Sequence, residues 1–251
     1  MEDCPFEDYP GMKRFLLGNM KRKKDTFLVS EGPEGAGKST TTGNICRDLE
    51  PNFSITRNTI FTLDELLSVM DECLQGQVYD LDEAINIFHN QDWATWELKA
   101  LTKIIRQMRI MRCTWVANVP DFEGLHPYLR DYRVRMRLYH EPVWELDGMG
   151  NGPAKVLWRQ ERFDYEEQRV IHRWQDVFDL EVPSLDLDPE WMTYEDKKRA
   201  NFKRLVNDMT KRKGREEAAE RRRLERELRA AVVKVEDIGK KARKQPPPTT
   251  T

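Results

Sequence analysis

Gly32-Pro33-Glu34-Gly35-Ala36-Gly37-Lys38-Ser39, followed by Thr40, Thr41 and Thr42, sets a lysine and a hydroxyl directly behind a glycine-rich turn. The spacing satisfies G-x-x-x-x-G-K-[ST] at every fixed position. Each residue type has a chemical reason. The glycines let the backbone curl around an anion, so that successive N–H groups point inward. A helix starting at about Gly37 would aim the positive end of its dipole at the same anion. Lys38 would reach the β- and γ-phosphates of a nucleoside triphosphate, and the Ser39 hydroxyl would ligate Mg²⁺. Residues 32 to 40, from Gly32 to Thr40, are therefore the candidate binding segment for ATP.

Asp82-Glu83 supplies the second piece of chemistry. An aspartate at the end of a strand can hold the Mg²⁺ shell, and a glutamate beside it can take the proton of an attacking water. Asp82 is assigned to the metal with Ser39, and Glu83 to general-base catalysis with Lys38. Asp80 is the imperfection, a charge inside a run that should be apolar. Asn118 closes a later strand, where a polar side chain faces the ligand crevice of an open parallel sheet. It would sense the γ-phosphate or position the water. Arg109, on the helix before that strand, would stabilise charge on a neighbouring subunit's nucleotide. Arg133, Arg135 and Arg137 share a period-two face that could line a nucleic-acid path.

These groups need an α/β scaffold to converge. Residues 25–30 form a short apolar run that feeds the loop, and 39–49 read as the following helix. Residues 54–61 are rich in β-branched types and predict a strand. Thr62 and Glu65 form a capping box, with a helix running on to Gly76. Strands follow at 78–83 and 113–120, with a helix over 93–112 between them. A short helix is expected at 124–130. Residues 133–140 alternate strictly, as an edge strand with one wet face would. Alternating strands and helices from 25 to 140 imply a parallel sheet with helices on both faces, the fold of a P-loop NTPase. Residues 142–146 and 156–159 predict a hairpin about 147–152. Residues 163–195, mixing aromatics and acids, are expected to wrap over the core. A long charged helix is expected over 194–240. Ahead of the loop, 6–16 predict a short amphipathic helix. The resulting division is a lead-in (1–24), an ATPase core (25–141), a hairpin-bearing subdomain (142–195), a basic helix (196–244) and a flexible tail (245–251).

The 251 residues can bury one substantial core. The net charge of −2 conceals an asymmetry, because Lys197 to Lys244 hold 19 basic and 8 acidic residues. That surplus leaves an acidic body and a basic arm, a distribution that suits an anionic partner such as DNA. Cys4, Cys46, Cys73 and Cys113 are scattered without metal-ligand spacing and predict reduced thiols. No run of about 18 apolar residues suggests a membrane span, and the acidic N-terminus lacks an apolar signal core. A cytoplasmic location is expected.

Glu31 to Thr40 resembles the phosphate loop of thymidylate kinases, over about ten residues. The Asp-Arg-aromatic element with which those kinases hold their acceptor is absent. A longer resemblance covers residues 25–140. Asp82-Glu83-Ala84, the tract Asn90-Gln91-Asp92-Trp93, the helix ending in Arg109, and Asn118-Val119-Pro120 resemble in order the motifs of RecA-like P-loop ATPases of viruses and mobile elements. FtsK–HerA packaging motors, zonula-occludens-toxin-like ATPases and DnaA-like ATPases of spindle-shaped viruses have this layout. Asp188-Pro189-Glu190-Trp191 with Tyr194 and Lys197-Lys198 is similar to the last of these. The resemblance implies an ATP- and Mg²⁺-dependent hydrolase in a homo-oligomeric ring acting on DNA, encoded by a virus. Asn118 stands where some of these motors carry glutamine. A nucleoside monophosphate kinase and an ATP-gated DNA-binding regulator are the alternatives.

Overall fold

The computed structural model describes residues 4–72, 74–88, 103, 106–141, 153–166, 168–185, 188–204, 206–207 and 210–211. The chain divides into two compact units, Met1–Lys197 and Lys198–Thr251. In the second unit the described residues are helical, at 198–204, 206–207 and 210–211.

In the first unit a seven-stranded sheet runs in the order β2-β3-β4-β1-β5-β6-β7. The five strands β1 (Thr26–Glu31), β2 (Thr59–Ile60), β3 (Val78–Leu81), β4 (Thr114–Val119) and β5 (Val134–His140) are mutually parallel. An antiparallel hairpin, β6 (Ala154–Asp164) and β7 (Arg169–Leu180), extends the sheet beyond β5. Helices among the described residues include α1 (Tyr9–Lys21), α2 (Lys38–Leu49), α3 (Ile55–Asn58), α4 (Leu63–Glu72), α5 (Ile85–Phe88) and α6 (Pro127–Tyr132), and residues 189–197 are helical as well. This is the α/β layout expected of a P-loop NTPase.

The central strands are apolar at successive positions because both faces of the sheet are covered. Phe27, Val29, Trp115 and Ala117 point into one core with Leu66, Met108 and Leu129. Leu28, Val116, Met136 and Leu138 point into the other, against Met12 and Leu16 of α1 and Ile45 and Leu49 of α2. The amphipathic N-terminal helix is α1, capped by Asp8, whose carboxylate accepts from the Gly11 N–H.

Several expectations are corrected. Residues 54–61 are not one strand, since a helical turn over Ile55–Asn58 precedes the two-residue β2. Asn58 overrides the β-branched preference by accepting from the Ser54 N–H at 3.3 Å and donating to the Val78 carbonyl at 3.1 Å. Tertiary contact outweighs intrinsic propensity over so short a run. β5 is an interior strand between β1 and β6, because the hairpin covers the edge that its alternation suggested was open. That hairpin is β6–β7, turning at 165–168, and 156–159 fall inside β6. Its β7 arm, which begins Arg169-Val170-Ile171-His172-Arg173-Trp174, is a strand where a wrapping segment was expected. The expected first arm (142–146) and turn (147–152) lie outside the described residues. So do most of the helix expected over 93–112, the tract from Asn90 to Trp93, Cys73, and the charged helix beyond 211. The Thr62–Glu65 box forms as expected: the Thr62 hydroxyl accepts from the Glu65 N–H at 3.3 Å, and Glu65 reaches back to the Phe61 N–H at 2.7 Å.

Candidate nucleotide site

The parallel alignment brings the ends of β1, β3 and β4 to one edge. β1 delivers the loop from Gly32 to Gly37, and α2 begins at Lys38. Gly37 adopts φ +85°, a left-handed conformation that turns the chain into the helix. Gly32 is required for a different reason. A Cβ there would lie 2.6 Å from the carbonyl oxygen of His140 on β5.

His140 braces the loop from beneath. Its Nδ1 lies 3.0 Å from the Ala36 carbonyl and its Nε2 lies 2.9 Å from the Ser30 hydroxyl. A carbonyl can only accept, so Nδ1 carries the proton and Nε2 accepts from Ser30. Burial, with the Lys38 charge adding to it against the opposing Ala36 hydrogen bond, depresses the imidazole from its ordinary 6.5 to about 4. It is neutral at physiological pH.

Within the loop, the Lys38 ammonium donates to the carbonyls of Gly32 and Pro33 at 2.6 and 2.7 Å, over the loop's own mouth. Glu34 and Gly35 are exposed, Ala36 is buried, and Thr40 is buried on the first turn of α2. Ser39, on that turn, donates to Asp82 Oδ1 at 3.0 Å. Asp82 follows β3 directly and is 1% exposed. Because β4 lies between β1 and β3, Asn118 at its end reaches across to the acids. Asn118 Nδ2 lies 3.1 Å from Asp82 Oδ1, 3.2 Å from Asp80 Oδ1 and 3.1 Å from Thr42 Oγ1. Two amide hydrogens serve three acceptors, so one of them is shared. The charge at Asp80 thus has its explanation: it is buried beneath Asp82 and solvated by Asn118. The amide oxygen of Asn118 is buried without a partner among the described residues.

Glu83 sits just beyond, partly exposed, with φ +55°. A non-glycine residue in the left-handed region is held there by its surroundings, a strain that concentrates at functional positions. The flanking backbone supplies the constraint. The Asp82 N–H donates to Ile60 O at 3.0 Å and the Ala84 N–H to Asn118 O at 2.9 Å.

Tyr194 was not foreseen as a site residue. Its hydroxyl donates to Asp82 Oδ2 at 2.7 Å, while its ring stacks on Trp191 with centroids 4.4 Å apart. Burial first, and then the nearby carboxylates of Asp82 and Asp80, hold the phenol protonated. The segment carrying it is tied down. Arg47 of α2 pairs with Asp188 at 2.5 Å and Glu190 at 3.1 Å, and Lys197 donates to the carbonyls of Thr56 and Thr59 at 2.9 and 2.8 Å. No local pattern announces a tyrosine 112 residues from its carboxylate partner.

Ser39, Asp82, Asn118 and Lys38 are therefore brought together, with Glu83 at the rim. Arg109 is not among them, because it lies at the opposite end of the strands, beside Asp25. Nor do the β5 arginines form an open basic track. Arg133 is buried on Asp25, and Arg137 is paired with Glu31 and lies over the rings of Phe122 and Trp174, at 4.1 and 4.7 Å. Arg135 is the exposed member.

The donor set fits a magnesium nucleotide. Mg²⁺ takes hard oxygen ligands and is commonly held by one or two protein groups together with substrate phosphates. The Ser39 hydroxyl and Asp82 carboxylate are such a pair, and the orphaned Asn118 oxygen adds an acceptor beside them.

No protein-family model matches the sequence, nor does any curated protein. Among solved structures, the chain is similar to the genome packaging NTPase B204 of Sulfolobus turreted icosahedral virus 2 in complex with ATP-gammaS. That match has 10% identity and a TM-score of 0.36, over 61% of this chain and 98% of that one. It is similar to the N-terminal domain of zonular occludens toxin from Neisseria meningitidis, with 13% identity and a TM-score of 0.37, over 62% and 95%. RuvB of Thermotoga maritima matches at 20% identity and a TM-score of 0.34, over 56% and 47%.

Proposed function

We propose that the chain binds and hydrolyses ATP and couples that hydrolysis to DNA, as a motor or assembly ATPase of a virus. The observation that carries the reading is the Ser39–Asp82–Asn118 cluster beneath the phosphate loop, with Asp82 and Asn118 buried. Loop N–H groups and Lys38 would hold the β- and γ-phosphates, and Asn118 would orient the attacking water. Magnesium, held by Ser39 and Asp82, would neutralise charge on the phosphate oxygens. Glu83 would accept the proton that the water loses as it attacks the γ-phosphorus. Lys38 would keep charge compensated as the bond to the leaving diphosphate breaks.

The partner class rests on the basic arm after Lys197. ATP turnover of wild type and Lys38→Ala, with and without DNA and across protein concentrations, tests the whole reading. Wild-type turnover should rise with DNA and with concentration, and Lys38→Ala should show none. Transfer of phosphate to a nucleoside monophosphate, with no response to DNA, would replace the reading with a kinase. In a ring, Arg109 of one copy would serve its neighbour's nucleotide. Inactive Lys38→Ala and Arg109→Ala chains should then recover turnover when mixed.

A further inference from the structure

The opposite end of the same strands holds a second cluster of charge. In a parallel sheet the residues preceding each strand gather at one edge, whatever their separation in sequence. Lys23 and Lys24 precede β1, Arg109 and Arg112 precede β4, and Arg133 precedes β5. The ladder pairs Thr26 with Thr114 and Phe27 with Val134, so these three basic leads lie side by side. Between them is a cleft of about 650 Å³. Among its lining residues Asp25 is the one carboxylate, and Arg133 is buried against it.

Arg135, also in the lining, pairs with Glu161 at 3.6 Å. Basic residues near helix C-termini often cap carbonyls, and Arg22 does so, donating to Gly18 O at 3.1 Å. Among the described residues, the side chains of Lys23, Lys24, Arg109 and Arg112 form no hydrogen bond or ion pair, and all four are exposed. Arg109 acts on Asp25 only through its field. Lys23 and Arg112 are held at φ +53° and +55°; among the described residues Glu83 at the nucleotide site shares this left-handed conformation. The wall between them is aromatic. Tyr132 is 70% exposed, and its ring lies 5.5 Å from that of Tyr128, over which Arg106 is stacked at 5.2 Å.

We propose that this cleft at the amino edge of the sheet binds single-stranded nucleic acid, with phosphates on Lys23, Lys24 and Arg112 and a base stacked on Tyr132. Unpaired cations beside an exposed ring are what a phosphate chain with unstacked bases requires. A duplex keeps its base faces internal and would leave Tyr132 without a partner. The proposal rests on the DNA-associated reading for its partner class. It adds a binding surface on the ATPase body to the basic arm.

The test uses the full chain without nucleotide, so that failure of hydrolysis does not affect it. Binding of labelled oligothymidylate is measured by anisotropy against salt, and ultraviolet cross-links are mapped to peptides. The triple variant Lys23→Glu, Lys24→Glu, Arg112→Glu should weaken binding at least tenfold. Its salt slope should shrink by about 2, at roughly 0.7 for each phosphate no longer neutralised. Tyr132→Ala should weaken binding by about 5- to 150-fold and remove the cross-link at 127–132. Basal ATP turnover and melting temperature should hold in both, which separates this result from failure of the ATPase reading. Cross-links confined to residues beyond 197, with the triple variant binding as wild type, would overturn the proposal. Equal competition by duplex would overturn the stacking of a base on Tyr132. Displacement by polyglutamate at matched charge would replace the nucleic acid with an acidic protein partner.

Discussion

The two ends of the central strands are built on opposite rules. At the carboxyl edge the polar groups are buried and engaged with one another: Asp82 with Ser39, Asn118 and Tyr194, and His140 with Ser30 and Ala36. At the amino edge four cations are exposed and unengaged among the described residues. The contrast suits the role proposed for each edge. Stabilising charge that develops on one phosphorus needs dipoles fixed in advance, and burial fixes them. Gripping a polyanion with no single shape needs reach and solvent access, which burial would remove. The carboxyl edge is also where ligands collect in open α/β sheets, since loops that leave the strands there can diverge around a crevice.

The largest effect should come from the rim of the buried edge. Glu83→Gln keeps the size of the side chain but removes its basicity. Turnover should fall by about 10²–10⁴-fold, the usual worth of a general base. ATP affinity should stay within a few fold, measured by titration with a fluorescent nucleotide. If turnover survives Glu83→Gln, Glu83 is not the base of this edge. If the wild type binds ATP without turning it over, an ATP-gated binding role explains the site better.

Next comes pH. In the folded chain His140 titrates at about 4 against an ordinary value of 6.5. The unfolded chain therefore binds the proton first. The stabilisation from the neutral ring is fully present above about pH 6.5 and is lost as pH falls towards 4. At about 1.4 kcal/mol for each pH unit of difference, the loss is on the order of 3 kcal/mol. Urea unfolding of wild type at pH 7, 5.5 and 4, alongside His140→Gln, measures it. The wild type should lose stability more steeply than the variant across that window. Parallel curves would show that His140 does not lock the loop to β5.

The two edges also differ in how plainly the sequence announces them. The phosphate loop is contiguous, so its glycines, lysine and serine declare themselves within eight positions, and Asp82-Glu83 is adjacent at a strand end. Both are legible, as is the alternation of strands and helices from 25 to 140. Asn118 is legible as a strand end, but not its bond to Asp80 and Asp82, which depends on β4 lying between β1 and β3. The order of strands is a long-range property and no window of sequence carries it. The amino edge is illegible for the same reason. Lys21 to Lys24 looks like a solvated lead-in, and only the parallel register brings it beside Arg112. β5 misleads because its alternation, Val134 to His140, has one apolar face in any setting. The hairpin closes its open edge, and on its polar face Arg137 is paired with Glu31. Asn58 misleads in the opposite way, since two side-chain hydrogen bonds over a few residues reverse a propensity.

The smallest effect expected here is also the most diagnostic of how the buried edge is held. Tyr194→Phe removes one oxygen and leaves the rings of Trp191 and Phe61 packed as before. Asp82 Oδ2 then loses a charge-assisted donor in a site with little solvent, a change worth about 1–2 kcal/mol. For a chain of this size the melting temperature should fall by about 2–4 °C per kcal/mol. If Tyr194 also orients Asp82, the magnesium concentration for half-maximal turnover should rise several fold while that for ATP stays constant. A pure packing role predicts the thermal shift without the magnesium shift, and a bystander predicts neither. Arg47→Met provides the matching control. It cuts the ion pairs to Asp188 and Glu190 that hold the same segment, without touching Asp82. If Arg47→Met reproduces the magnesium shift, the segment from Asp188 to Lys197 works as a strap whose seating sets the metal site. If only Tyr194→Phe does, the hydroxyl alone is responsible, and the carboxyl edge depends on a single hydrogen bond from a residue far away in sequence.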